Sequence, residues 1–327
     1  MTPQPPPSLV VLGGGTFGTS LAAALARTGR PVTLVVRDPQ VVASIQTRRV
    51  NEKYLPDARL PKGIHATAEI AVAASAQAVF LAVPSHSLLA TAGLLQPLLR
   101  PGTVVLNLAK GLHEHHITLD RALQQVLPHC AVGALKGPNF ARPLLHGAPT
   151  GMTLALPPGV APGRGQAWFQ GSNVQVEEHA DVSGIEFVAA VKNVIAIAMG
   201  LCDAIEDNPN TRFMVVSKLI AEAHRLVGHF GYDPSVMFTF AGLGDMLMTS
   251  LNDASRNRTL GLLIGRGFDF VGQTGGPVME GRKATRLLAA HTQTEADRFP
   301  IVHHLDQVFS AGLSPQAFYQ RVTKPAL

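Results

Sequence analysis

Residues 9–12, Leu-Val-Val-Leu, run straight into Gly13-Gly14-Gly15-Thr16-Phe17-Gly18, and an alanine- and leucine-rich stretch, Ser20 to Arg27, follows. Few features constrain a chain so tightly. A short apolar run that ends in glycine has the form of a buried parallel strand. The stretch after it has the form of a helix, with Gly29 placed to stop it. Gly-x-Gly-x-x-Gly between such a strand and such a helix lets backbone approach a pyrophosphate, with the amides and dipole of the helix start behind it. The first expectation is a dinucleotide held by Gly13, Gly15 and Gly18.

The strand–helix alternation continues. Val32–Val36 is β-branched, and Ala78–Val83, Val104–Leu108 and Ala131–Leu135 read as further buried strands. That order predicts an α/β fold built on a doubly wound parallel sheet. Leu156 to Gly165 is rich in Pro and Gly and reads as a surface loop. From Ser183 helical signals take over. Ser183-Gly184-Ile185-Glu186 has the form of a capping box, which satisfies orphan amides at a helix start. The boundary is therefore expected near Asp181, with residues 8–181 as a dinucleotide-binding domain and 182–327 as an all-helical substrate-binding and catalytic domain. Glycine turns are expected around Gly242–Gly244 and Gly272–Gly276. Two domains also suit 327 residues.

Composition narrows the partners. Charged residues make up only 15% of the chain, which fits extensive burial. The +5 balance is spread out, with no basic run longer than pairs such as Arg48–Arg49. Nucleic-acid surfaces show a concentrated basic stripe, so none is expected here, whereas a small anionic substrate suits the mild excess. Cys130 and Cys202 stand far apart with no metal-type neighbour and read as reduced and structural. Met1–Pro7 has neither a charged start nor an apolar core, and Ala71–Val83 and Phe187–Leu201 read as too short for a membrane span. A cytoplasmic location is expected.

Several positions carry chemistry. Where a carboxylate at the end of the second strand would grip ribose hydroxyls, the sequence has Arg37, followed by Asp38. A guanidinium there suits a 2′-phosphate and hence NADP, with NAD kept open by Asp38. The other reading is a solvated arginine at a strand end. Ile185, Val188, Ala189, Ile195, Ala196 and Met199 form one apolar stripe at helical spacing, and Lys192 falls inside it beside Asn193. A desolvated lysine loses proton affinity toward the range useful to an acid/base catalyst. Alternatively Lys192 snorkels out of a core helix. Lys110 lies just beyond a strand end, where ligands of such sheets collect, and either holds a substrate oxygen or is a solvated turn lysine. Gly137-Pro138-Asn139-Phe140 follows the next strand in the same way. Asp245, after Gly242-Leu243-Gly244, could charge-couple to Lys192. Ser255-Arg256-Asn257 offers a hydroxyl, a guanidinium fork and an amide suited to a phosphate, although each alone is commonly a cap or a surface group. His113, Glu114, His115 and His116 read as a solvated loop, and no metal is expected.

Together these residues resemble the bacterial NAD(P)-dependent glycerol-3-phosphate dehydrogenase family. The similarity runs from about Val10 to Ala317 through GGGTFGTSLA at 13–22, NEKYLPDARLP at 51–61, VPS at 83–85, AKGL at 109–112 and GPNFA at 137–141. It continues through DVSGIE at 181–186, VKNVIAIAMG at 191–200, GLGD at 242–245, SRN at 255–257 and EG at 280–281. The resemblance implies a Rossmann domain plus a helical domain, usually in a homodimer. It implies NAD(P)H-dependent interconversion of dihydroxyacetone phosphate and sn-glycerol 3-phosphate, feeding phospholipid synthesis. It makes Lys192 the proton donor and acceptor, with Lys110 and Asp245 beside it. Substrate contacts become Lys110, Gly137, Asn139, Lys192, Asp245, Ser255, Arg256 and Asn257. Cofactor contacts become Thr16, Phe17, Arg37, Tyr54, Lys110, Ala141, Arg256 and Glu280, besides Gly13, Gly15 and Gly18. The chain departs from the family pattern at Phe17, Lys136, Pro143, Glu177 and Ala204, which puts cofactor-loop detail and feedback control in doubt. Two rivals stand: a two-domain β-hydroxyacid-type dehydrogenase with a carboxylate substrate, and a non-catalytic NADP-binding sensor.

Overall fold

The computed structural model describes residues 8–115, 117–268 and 279–324. His116, the Gly272–Gly276 turn and the Met1–Pro7 terminus lie outside the described residues. The chain divides into two compact units. The described residues to Ala109, with Leu119–Val182, form the first; Lys110–Thr118, with the described residues from Ser183 onward, form the second. A single cut near Asp181 would have left the short Lys110–Thr118 segment in the first unit.

The first unit is built on an eight-stranded sheet. Its ten strands in chain order are β1 (Ser8–Leu12), β2 (Val32–Val35), β3 (Val50–Asn51), β4 (Leu55–Arg59), β5 (Ile64–Thr67), β6 (Ala76–Leu81), β7 (Val104–Asn107), β8 (Ala131–Lys136), β9 (Thr150–Ala155) and β10 (Val174–His179). The large sheet runs β10-β9-β8-β7-β6-β1-β2-β5, while β3 and β4 form a separate hairpin. All the large-sheet pairs are parallel except β8 with β9. The order reverses beside β1, the switch point at which such sheets bind ligands. Alternate residues of β1 feed opposite faces: Leu9 and Val11 join one apolar cluster, Val10 and Leu12 the other. Both faces are thus covered, which is why the central strands read as continuous apolar runs.

In the second unit the regular elements among the described residues are helical apart from the His113–Ile117 bridge. The long helix Val182–Ile205 begins one residue before the expected Ser183 start, so Ser183 lies inside the first turn and Asp181 precedes it. At 24 residues this helix is long and apolar enough to cross a membrane, contrary to the sequence reading, but its apolar window is fully buried in protein. That is the pattern of a core helix. Helix Arg256–Gly265 crosses it closely: a Cβ on Gly261 would lie 2.0 Å from the Ile197 carbonyl oxygen, and one on Gly200 would lie 2.2 Å from that of Arg258. Only glycine lets the two backbones approach so far. The crossing brings Asn257 to Asn193, where its amide donates at 2.9 Å.

Candidate active site

In the first unit the glycine turn takes the shape its composition requires. Gly13 has φ +120°, and a Cβ there would meet the Ala82 carbonyl at 2.4 Å. A Cβ on Gly18 would meet the Gly13 carbonyl at 2.0 Å. Gly15 faces open space and precedes helix Thr16–Ala26, whose start has no side-chain cap. Open backbone ahead of uncapped amides is what a pyrophosphate needs, so these residues fit the dinucleotide. Asn51, fully buried, donates to the Gly14 carbonyl at 2.9 Å and to the Thr19 hydroxyl at 2.8 Å. It ties the β3–β4 hairpin to the glycine turn, a role that leaves no periodic signal in the sequence.

That hairpin carries Tyr54, 42% exposed, at its turn. Thr16 opens the first helix and Phe17 packs against the apolar cluster. Arg37 is exposed and makes no hydrogen bond or ion pair among the described residues. Asp38 is committed: one carboxylate oxygen accepts from the Gln40 amide at 3.0 Å as the cap of helix Pro39–Arg48, and the other pairs with Lys53 at 2.8 Å. Gly137 lies at φ +145° after β8, Asn139 is buried, and Ala141 opens the short helix Ala141–Leu145.

The departures from the family pattern each find a place among the described residues. Lys136 is fully buried and donates to the Ala109 carbonyl, and Glu177 accepts from Thr153 at 2.7 Å. Pro143 sits within the short helix, and Ala204 fills the space beside Gly265.

The second unit assembles the titratable cluster. Asp245 is fully buried and opens helix Asp245–Leu251, directly after a tight π turn over Phe240–Gly244. Its Oδ1 accepts from Lys192 Nζ at 2.9 Å and its Oδ2 from Lys110 Nζ at 2.7 Å. Thr249, one helical turn on, bonds Lys192 at 2.9 Å and Asp245 at 3.2 Å. The sequence reading did not single out Thr249, whose i+4 spacing from Asp245 is too common in helices to mark it. Lys192 is only 6% exposed, so it does not snorkel. Burial lowers its pKa to about 8, with Lys110 acting in the same direction and Asp245 against it. Burial works against the Asp245 charge too, but the two ammoniums outweigh it and hold the carboxyl below its ordinary value. Lys110 is thus ion-paired and one-fifth exposed, not a solvated turn lysine. Asn193 fixes its backbone, donating to the Lys110 carbonyl at 3.2 Å.

The trio at 255–257 divides its tasks. Ser255 is buried and its hydroxyl oxygen caps helix Arg256–Gly265 by accepting from the Arg258 amide at 3.3 Å. Arg256 is exposed at the helix start and makes no hydrogen bond or ion pair among the described residues. Arg258, which the sequence reading passed over, is buried against Asp203 and the Ser250 carbonyl and locks this helix in place. Glu280 lies half-buried in the first turn of helix Met279–His291. His113 accepts from the His115 amide, and the described residues contain no group of three or more His, Cys, Asp or Glu placed to hold a metal.

Two family models match this chain, the NAD-dependent glycerol-3-phosphate dehydrogenase N-terminus over residues 8–159 and its C-terminus over 181–320. The chain is 35% identical to a glycerol-3-phosphate dehydrogenase [NAD(P)+] from Thioalkalivibrio sulfidiphilus over 95% of its own length and 94% of that protein's. The chain belongs to the NAD-dependent glycerol-3-phosphate dehydrogenase family. A relative of the same description from Escherichia coli is 32% identical over 93% of this chain and 92% of its own. The crystal structure of a glycerol-3-phosphate dehydrogenase from Coxiella burnetii aligns with a TM-score of 0.82 at 27% identity, covering 97% of this chain and 99% of that one. As a glycerol-3-phosphate dehydrogenase the protein is an oxidoreductase, and its cofactor is NADP or NAD. The β-hydroxyacid and sensor readings are set aside by this match.

Proposed function

We propose that the protein interconverts dihydroxyacetone phosphate and sn-glycerol 3-phosphate, with Lys192 as the proton donor and acceptor. The observation that carries this is the buried Lys192–Asp245–Lys110 cluster, in which Lys192 is brought to about 8. When bound, the dinucleotide supplies hydride to the central carbonyl carbon of the ketone or takes it back from the alcohol. Lys192 gives its proton to the oxygen as the alkoxide develops, and takes it back in the reverse direction. Lys110 stabilises the same developing charge. Asp245 orients both ammoniums, and Thr249 holds Lys192 in the hydrogen-bonding position.

Arg256 is the proposed phosphate anchor, aided by the helix start behind it and by Ser255 and Asn257. Gly137 and Asn139 are further proposed substrate contacts. On the cofactor side the proposal includes Thr16, Phe17, Arg37, Tyr54, Ala141 and Glu280, with Lys110 and Arg256 shared. With this reading go a homodimeric state, a cytoplasmic location and a supply of glycerol 3-phosphate to phospholipid synthesis.

The phosphate assignment is tested by four rates: wild type and Arg256→Ala, each with dihydroxyacetone phosphate and with free dihydroxyacetone, at saturating NADPH. Binding energy from an unreacting phosphate is used partly to orient the carbonyl. Wild type should therefore prefer the phosphorylated ketone by orders of magnitude in kcat/KM, and Arg256→Ala should erase much of that preference. Equal slowing of both substrates would show that Arg256 does not hold the phosphate.

A further inference from the structure

The turn that joins β3 to β4 carries Lys53, whose Nζ pairs with Asp38 at 2.8 Å and lies 5.7 Å from the centre of the Tyr54 ring. The pairing raises the lysine pKa and lowers that of Asp38. Asp38 stands one residue past the position, filled here by Arg37, at which a carboxylate of such a sheet would accept the ribose hydroxyls of NAD. Here both of its oxygens are engaged, one by the amide of Gln40 and one by Lys53. Beside it Arg37 is exposed and has no partner among the described residues. The hairpin is not loosely placed, because buried Asn51 fastens it to the Gly14 carbonyl of the glycine turn. Lys53 thus neutralises a carboxylate whose two oxygens each already accept a hydrogen bond, so a sugar hydroxyl has to share it with the helix cap and the ion pair.

We propose that Lys53 determines cofactor choice: by occupying Asp38 and adding its charge to that of Arg37, it turns the ribose pocket from a hydroxyl acceptor into a 2′-phosphate binder. The consequence is reciprocal. Losing Lys53 removes a cation from the NADPH phosphate and at the same time frees the carboxylate that NADH would use. If Arg37 acted alone, losing Lys53 would change neither affinity. A lysine that merely stabilises the hairpin predicts that both cofactors weaken together.

The inference rests on the reading of Gly13–Gly18 as the nucleotide turn. It is tested by titrating wild type, Lys53→Ala, Asp38→Ala and the double variant with NADPH and with NADH, following the fluorescence of the bound nicotinamide without substrate. Lys53→Ala is expected to weaken NADPH by about fivefold to tenfold, the size of one partly exposed charge-assisted contact, and to tighten NADH by a few-fold. In the double variant the gain for NADH should vanish, since it comes from Asp38. Equal weakening of both cofactors in Lys53→Ala, or unchanged NADH affinity, overturns the proposal. Should Lys53→Ala fold poorly, Lys53→Gln keeps the chain length without the charge and is expected to shift the two affinities in the same opposite directions; a parallel shift overturns the proposal there too. A wild type that binds neither dinucleotide would defeat the underlying reading of the glycine turn instead, so the two failures are distinguishable.

Discussion

At the scale of single residues, the proposed chemistry turns on one buried ammonium. Desolvation costs Lys192 its proton affinity, Lys110 adds to that loss and Asp245 opposes it, and the result is a pKa near 8 in place of 10.5. The sign of the resulting pH dependence differs between the two directions. In the proposed mechanism ketone reduction needs the protonated lysine, so its kcat/KM is expected to be full below the Lys192 pKa and to fall as pH rises through about 8. Alcohol oxidation needs the neutral amine, so its kcat/KM rises through the same value. Profiles measured in both directions should show these opposed limbs, and limbs of the same sign, or none in that range, would remove Lys192 from proton transfer. Lys192, Lys110 and Asp245 were legible in the sequence, because a lysine in an apolar stripe and a carboxylate after paired glycines break local rules that a purely structural helix would obey. Thr249 and Asn51 were not, since a threonine inside a helix and an asparagine at a hairpin turn are ordinary wherever tertiary contacts are unknown.

At the scale of elements, what could be read depended on burial. β1, β2, β6, β7 and β8 are apolar runs covered on both faces, and their existence followed from hydrophobicity alone. β10, Val-Gln-Val-Glu-Glu-His at the sheet edge, is mostly half-exposed, and β4 contains Pro56 and Asp57, so neither shows the apolar signal of a central strand. The antiparallel β8–β9 step was also beyond local patterning, because strand direction is set by the connection and not by the strand. In the second unit the glycine crossing sets Asn257 against Asn193, the residue next to Lys192. Replacing Gly261 by alanine would set a methyl 2.0 Å from the Ile197 carbonyl, forcing the two helices apart. We expect Gly261→Ala to destabilise the protein by about 1–3 kcal/mol, the usual cost of overpacking, as read from urea unfolding. Loss of the Asn257–Asn193 bond should lower activity in the same variant. An unchanged unfolding midpoint would show that the crossing tolerates separation.

At the scale of the whole molecule, one unit carries the glycine turn and the other the Lys192–Asp245–Lys110 cluster, and the proposed function divides nucleotide binding and proton transfer between them. The sequence placed their boundary near Asp181 but left Lys110–Thr118 in the first unit; in the structure this segment belongs to the second, with Lys192 and Asp245. Hydrophobic pattern could not have revealed that exchange, because a nine-residue excursion has no periodicity of its own and is defined by its contacts. The functional account depends on Lys192 doing chemistry in this setting and not merely filling a core. The most direct measurement is NADPH oxidation with dihydroxyacetone phosphate by wild type and Lys192→Ala, alongside NADPH titration of both. The account predicts that the wild type turns over, and that the variant folds, binds NADPH as before and loses roughly 10²–10⁴ in kcat, the size of a general acid/base contribution. A folded variant with turnover close to wild type would contradict it.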